Sequence, residues 1–207
     1  MELVFNGIRL LAPETVYEPS EESKMLATAA SDHTKRSKPL GGISVLEMGC
    51  GCGIASLAAA KAGAKEVLGV DISPEAVRCA NDNAKRNKIK NARFIESDLF
   101  ESIPKNKRFD IILFNPPYLP TRYKDKMNGP LDYAFDGGKD GRRLLDVFLP
   151  QFGKYLNPSG SLLLVQSDLN GPIKTKRKLK ELGYKVDVAL REAFPLEVVY
   201  IYRAMGR

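Results

Sequence analysis

The tetrapeptide Asn115-Pro116-Pro117-Tyr118 brings together residue types suited to one kind of chemistry. Two consecutive prolines stiffen the backbone and offer carbonyls without N–H groups. The Asn115 side-chain oxygen and the Pro116 carbonyl can both accept hydrogen bonds from a single NH2 group, while Tyr118 can lay its ring on a flat substrate group. An amide or exocyclic amine nitrogen has its lone pair delocalised into a π system. It becomes a useful nucleophile only as it moves toward tetrahedral geometry. Two acceptors aimed at its hydrogens favour that geometry as positive charge develops. Holding the nitrogen in line with an electrophile supplies much of the remainder by positioning. The substituted nitrogen is strongly acidic and sheds its proton easily, so the chemistry does not require the chain's one histidine, His33. Taken alone, the tetrapeptide also reads as a proline-stiffened turn.

A second constellation lies upstream. Glu47-Met48-Gly49-Cys50-Gly51-Cys52-Gly53 sets three glycines at alternate positions behind an acid. Such a loop turns sharply and lets a ligand approach the backbone, and a helix that follows presents free N–H groups. A dinucleotide fingerprint, G-x-G-x-x-G, needs glycine where Ile54 stands. The observed spacing resembles instead the loop that binds S-adenosylmethionine, whose methionine end carries an amine and a carboxylate. Asp71, followed by Ile72, can accept hydrogen bonds from both ribose hydroxyls. Asp98 is placed to accept from the adenine amino group, with Leu99 packing on the base. Singly, Asp71 also reads as a helix cap and Asp98 as a turn residue, although Ser73 is the better cap. Jointly, Glu47, Asp71 and Asp98 end three successive strand-like segments, and open parallel sheets bind ligands at that edge.

The elements that must position these residues alternate in kind. Strand-like runs are expected at Ile43–Met48, Glu66–Val70, Ala92–Ile95, Asp110–Phe114 and Ser161–Gln166. Between them, Ile54–Ala62 and the segment opening at Ser73-Pro74-Glu75 read as helices, the latter with Ala76, Ala80 and Ala84 inward. Leu144, Leu145, Phe148 and Phe152 recur at helical spacing, and a lysine-rich helix follows Pro172. The last two strand-like runs, Lys185–Leu190 and Glu197–Tyr202, are joined by too short a loop for a crossover helix, so they should pair antiparallel. The expected fold is α/β and Rossmann-like: a seven-stranded, mostly parallel sheet with an antiparallel C-terminal hairpin and helices on both faces. Residues 1–40 read as a leader with a short helix starting at Pro19-Ser20-Glu21-Glu22, whose Met25, Leu26 and Ala29 face inward. Ser31–Gly42 reads as a linker and 41–207 as the catalytic core of a single domain.

Composition sets outer bounds. The 207 residues are 43% hydrophobic and 28% charged, ordinary for a soluble domain with a real core. No apolar run approaches the roughly 20 residues of a membrane span, and Met1–Leu11 lacks the pattern of a signal peptide. Three cysteines, Cys50, Cys52 and Cys79, without disulfide-like spacing fit a reducing cytoplasm. They do not make a zinc site. The net charge of +7 permits a nucleic-acid partner without requiring one. The basic run Lys174–Lys180 reads as a solvated helix face.

Leu113-Phe114-Asn115-Pro116-Pro117-Tyr118 resembles the motif of the HemK-type protein methyltransferases, which modify the glutamine of the Gly-Gly-Gln loop of translation release factors. Val16-Tyr17-Glu18-Pro19-Ser20-Glu21-Glu22-Ser23 is similar to the Tyr-Glu-Pro-Ala-Glu-Asp-Thr segment of the archaeal and eukaryotic branch. Asp136-Gly137-Gly138-Lys139-Asp140-Gly141-Arg142 resembles that branch's Gly-Gly-x-x-Gly-Arg segment. The likeness runs from about Val4 to the last strand. It implies a methyltransferase in which Ser23, Glu47, Gly49, Asp71, Asp98, Leu99 and Asn115 contact S-adenosylmethionine, and Asn115 with the prolines holds the target amide. It also implies a small zinc-binding activator subunit on the edge strand Ala92-Arg93-Phe94-Ile95. Two positions depart from the pattern: Glu22 replaces an aspartate, and Lys24 an aromatic or aliphatic residue. The same tetrapeptide suits the N6 amine of adenine, although a DNA enzyme must also flip its base and the only sizeable insertion is Leu119–Phe135. Lysine methylation fits less well, since an sp3 amine needs a base and not these acceptors. A subunit that only binds S-adenosylmethionine, or only scaffolds, would be expected to lack Asn115.

Overall fold

The computed structural model describes residues 1–37, 41–120 and 131–206. Parallel pairing joins β3 (Ser44–Met48) to β4 (Glu66–Asp71) and to β6 (Phe109–Phe114). It also joins β4 to β5 (Ala92–Glu96) and β6 to β7 (Leu156–Ser167). The chain then doubles back: β8 (Lys185–Ala193) and β9 (Val198–Met205) form a hairpin, and β9 pairs antiparallel with β7. The sheet order is β5-β4-β3-β6-β7-β9-β8, the expected mostly parallel sheet closed by an antiparallel hairpin. Strand order reverses between β3 and β6, which opens a crevice at their C-terminal ends.

Both faces of the sheet are covered at its centre, so β3, β4 and β6 are apolar almost throughout. Side chains alternate in β6: Ile111 and Leu113 enter one core, Ile112 and Phe114 the other. The first core takes the buried faces of α1 (Glu21–Arg36), α2 (Ile54–Lys61) and α3 (Pro74–Arg86). The second takes Leu145 and Phe148 of α5 (Arg143–Phe148) and Leu179 of α6 (Pro172–Glu181). Stacked rings extend it, with Phe100 and Tyr155 centred 4.5 Å apart. Gly69 in β4 is required by this packing, because a Cβ there would lie 2.4 Å from the Phe94 ring.

Several sequence expectations shift. The helix expected across Leu144–Phe152 stops at Phe148 and resumes as a 3-10 turn at Phe152–Lys154, where Pro150 cannot continue the ladder. The leader also holds more structure than one helix. β1 (Glu2–Phe5) and β2 (Ile8–Leu11) form a hairpin around Asn6-Gly7, both at positive φ as a tight two-residue turn demands. The hairpin docks on α3, where Asn83 Oδ1 accepts from Leu11 N at 2.9 Å and Asn87 Oδ1 from Arg9 N at 2.8 Å. The polar run expected as a linker from Ser31 is helical to Arg36, because Thr34 remains buried and Lys35 and Arg36 complement the helix C-terminus. Within that run only 38–40 lie outside the described residues, and Gly41 and Gly42 both turn at positive φ; most of the Leu119–Phe135 insertion also lies outside the described residues. Ser20 is the N-cap of α1 but makes no side-chain bond to the helix backbone; its Oγ faces Ser23 Oγ at 3.3 Å.

Candidate functional site

The crevice at the strand ends is a cavity of about 820 Å³. It is walled by the ends of β3, β4, β5 and β6, by the first turn of α1, and by α4 (Asp132–Phe135). Ser23, Glu47, Gly49, Gly51, Asp71, Ile72, Asp98, Leu99 and all of Asn115–Tyr118 line it. Gly53 does not. Its φ is +87°, and a Cβ on it would meet Ala80 and Phe94 at 3.1 and 3.2 Å, so helix–strand packing accounts for this glycine. Gly51 is different: at φ +52° it has no atom within 4 Å of a Cβ position, so a side chain there would stand in the cavity.

Glu47 is buried, and its Oε2 accepts from Ser56 N at 2.7 Å. Gly53, the N-cap of α2, has no side chain to cap with, and the first turn carries no acid. Glu47 supplies that acceptor from the neighbouring strand. Burial pushes its carboxyl up to about 8, against the lowering by the Ser56 bonds and with a further rise from Asp71. A cationic amine in the cavity would restore its charge. Asp71 Oδ2 accepts from Gly51 N at 2.8 Å and its Oδ1 from Ser73 N at 3.0 Å. It therefore braces the glycine loop, while the carboxylate keeps acceptor capacity for a hydroxyl donor. Burial raises its pKa; the bonds from Ser73 and Gly51 oppose the rise. Ser73 is the cap of α3, its Oγ accepting from Ala76 N at 3.2 Å.

Asp98 is exposed at the cavity rim. Leu99 adopts φ +48°, a left-handed conformation that bulky residues avoid. Ser97 holds that turn: its Oγ donates to Leu99 O at 2.8 Å and accepts from Ser102 N at 3.0 Å. Ile72 is 48% exposed on the same rim, an apolar surface facing open space. Burial pushes the Cys52 thiol up to about 12 and that of Cys50 well above its usual range, so both loop cysteines are neutral.

At the end of β6, Asn115 Nδ2 points to Ser23 Oγ at 3.4 Å. Its Oδ1 is buried without a hydrogen-bond partner among the described residues. A buried acceptor left unsatisfied costs free energy, so this atom is poised for a donor from a ligand. Tyr118 is buried, and its hydroxyl donates to Glu22 Oε1 at 3.0 Å and lies 3.3 Å from Glu197 Oε1. Burial and the two carboxylates push that hydroxyl's pKa far above its ordinary value. Tyr17, whose ring meets Phe135 edge-on at 5.0 Å, also reaches Glu22, at 3.5 Å. Tyr17, Phe135 and Glu197 all line the cavity. Tyr17 stands inside the quoted N-terminal segment, whereas nothing in the sequence pointed to Glu197.

The Asp136–Arg142 segment supports this turn from behind. Gly137 N donates to Leu119 O at 3.1 Å. A Cβ on Gly141 would lie 2.1 Å from Tyr118 O. Arg142 is 3% exposed; its Nη1 donates to Asn170 O at 2.7 Å and Thr175 Oγ1 at 2.8 Å, its Nη2 to Asp146 Oδ1 at 2.7 Å. The segment therefore fixes the backbone of Tyr118 and Leu119 and ties it to α6.

Fold and cavity together define a class I S-adenosylmethionine-dependent methyltransferase. The family model for ribosomal protein L11 methyltransferase (PrmA) matches residues 27–116. A Methanocaldococcus jannaschii protein named "Putative protein N5-glutamine methyltransferase MJ0928" is 44% identical over 99% of this chain and 98% of its own length. Human methyltransferase HEMK2 is 31% identical over 84% of this chain and 82% of its own. The solved E. cuniculi Mtq2–Trm112 complex, described as methylating the eRF1 translation termination factor, superposes with a TM-score of 0.70 at 24% identity, covering 93% of this chain and 99% of that one. The chain belongs to the HemK-type protein N5-glutamine methyltransferases, in their archaeal and eukaryotic branch.

Proposed function

We propose that the protein methylates the side-chain amide nitrogen of the glutamine in the Gly-Gly-Gln loop of a translation release factor, with residues 1–207 acting as one cytoplasmic methyltransferase unit. The observation that carries this reading is the orphaned Asn115 Oδ1, buried in a cavity wall that Pro116 and Pro117 continue.

The residues present fit the cofactor. The open face of Gly51 leaves room where a Cβ would intrude, and buried Glu47 suits an ammonium group. In this reading Gly49, Gly51 and Glu47 hold the methionine end, with Ser23 beside it. Asp71 takes the ribose hydroxyls, and Ile72, Asp98 and Leu99 take the adenine. When bound, S-adenosylmethionine supplies an electrophilic methyl group. Asn115 Oδ1 and the Pro116 carbonyl accept from the two amide hydrogens and draw the nitrogen toward tetrahedral geometry. The rigid prolines hold both acceptors in register, so the barrier falls chiefly through positioning. The proton leaves the acidic, methylated nitrogen for solvent.

The relatives support the choice of acceptor: one is named for glutamine N5 chemistry, and another is described as acting on a termination factor. An activator subunit is also part of the proposal. β5 is an outer strand of the sheet, with Arg93 exposed and Phe94 buried, and an unpaired edge can accept a partner's strand. The fold-related Mtq2 was solved as a complex with Trm112. Among the described residues no helix is long and apolar enough to cross a membrane.

The test uses labelled S-adenosylmethionine with a release factor and, separately, adenine-containing DNA and RNA, with and without a small zinc-binding partner. Label should enter the release factor and vanish when its glutamine or Asn115 is replaced. Label on nucleic acid alone would overturn the reading in favour of adenine N6 methylation.

A further inference from the structure

On the assignment of Asn115 as the amide-binding residue, we propose that Glu197, together with Glu22, is a positioning residue that locks Tyr118 and thereby the whole Asn115–Tyr118 turn for methyl transfer. The two carboxylates come from distant parts of the chain, Glu22 from the first turn of α1 and Glu197 from the loop entering β9, yet both lie within 3.3 Å of one hydroxyl. A single phenol proton serves both. Glu197 is itself anchored: Ser167 Oγ, at the end of β7, donates to its Oε2 at 2.5 Å, and Phe194 N donates to its carbonyl at 2.8 Å. Ser167 also accepts from Leu169 N at 3.2 Å, which ties it to the turn after β7. A continuous set of hydrogen bonds therefore runs from β7 through Glu197 to the Tyr118 ring.

The other end of Tyr118 is fixed as firmly. Its carbonyl is pressed by Gly141, and Leu119 bonds to Gly137. Immediately before Tyr118 stand two prolines with little backbone freedom. A swing of the ring therefore passes into the Pro116 carbonyl and Asn115, only two and three residues away. Misplacing reacting groups by about 1 Å costs on the order of 100-fold in rate. The hairpin β8–β9, which closes the sheet, thus acquires a second role, since it delivers the carboxylate that holds the turn from the far side.

The test compares Glu197→Ala, Glu197→Gln, Tyr118→Phe and the double variant Tyr118→Phe/Glu197→Ala in the full chain, with the activator where it is needed. Glu197→Ala should lower kcat about 10- to 100-fold while the cofactor Kd stays within about twofold. Glutamine keeps an acceptor and should restore most of that loss. The double variant should be no slower than Tyr118→Phe, because both remove the same contact. Multiplying defects would overturn the proposal, and a glutamine variant as slow as the alanine one would replace positioning with a charge effect. A second readout needs no acceptor: 13Cζ-tyrosine NMR, with the Tyr118 line assigned by its loss in Tyr118→Phe. That line should move in Glu197→Ala, or in Glu197→Gln if the alanine variant fails to fold; an unmoved line refutes the contact. If the wild type methylates no release factor, the substrate reading fails, while the NMR result still decides the role of Glu197.

Discussion

Replacing Glu47 with glutamine should stabilise the ligand-free protein at alkaline pH and weaken cofactor binding. In the fold, burial holds the carboxyl at about 8, against 4.5 for the free side chain. A carboxylate with a raised folded pKa contributes its stability fully below the unfolded value and loses it as pH rises through the folded one. The window is thus about pH 4.5 to 8. At about 1.4 kcal/mol per unit the ceiling is on the order of 5 kcal/mol. Relaxation and water penetration bring the expected loss to about 1–3 kcal/mol. Urea unfolding at pH 5.5 and pH 9 should show the wild type losing that amount relative to Glu47→Gln. Calorimetry in buffers of different ionisation enthalpy supplies a second test. Near pH 7 an amine that binds against Glu47 should expel about one proton from the wild type and none from the variant. The cofactor Kd should rise at least tenfold in Glu47→Gln. Parallel stability curves together with no proton release would refute the assignment.

Three further outcomes follow from the geometry. Gly141→Ala sets a methyl against Tyr118 O in a left-handed backbone, so it should cost at least about 3 kcal/mol by chemical denaturation and abolish transfer. Arg142→Ala leaves two buried acceptors unpaired and should cost about 3–5 kcal/mol, visible as a lowered urea midpoint. Leu99→Gly relieves a strained φ but frees the unfolded chain, so the thermal midpoint should move by less than about 4 °C. Cofactor Kd by calorimetry should nonetheless rise about tenfold as an apolar contact is lost.

Much of the site was legible because its residues follow strands. Glu47, Asp71 and Asn115 stand at the ends of apolar strands and Asp98 just beyond a fourth strand, and parallel pairing brings those ends to one edge. At Gly53 the sequence is ambiguous, because a glycine needed for close packing has the same letter as one needed beside a ligand. Ser31–Arg36 looked like a linker because its polar residues hide a single buried position, Thr34. The N-terminal hairpin carried a signal in Asn6-Gly7, but its four-residue strands are short. Glu197 was out of reach: its contact with Tyr118 spans 79 residues and depends on how a hairpin folds back, which no local pattern encodes.

The bond from Glu47 to Ser56 also ties a helix start to a strand end. Segment Ile54–Lys61 spans only two turns, begins at a glycine and has no local cap, so as an isolated peptide it would stay uncoiled. Its first turn is completed by a carboxylate on β3. The first turn of the helix therefore gains its acceptor only where that strand lies alongside it. The glycine loop and the first βα unit of the sheet are thus joined through one hydrogen bond, and whatever loosens the strand end loosens the helix start with it.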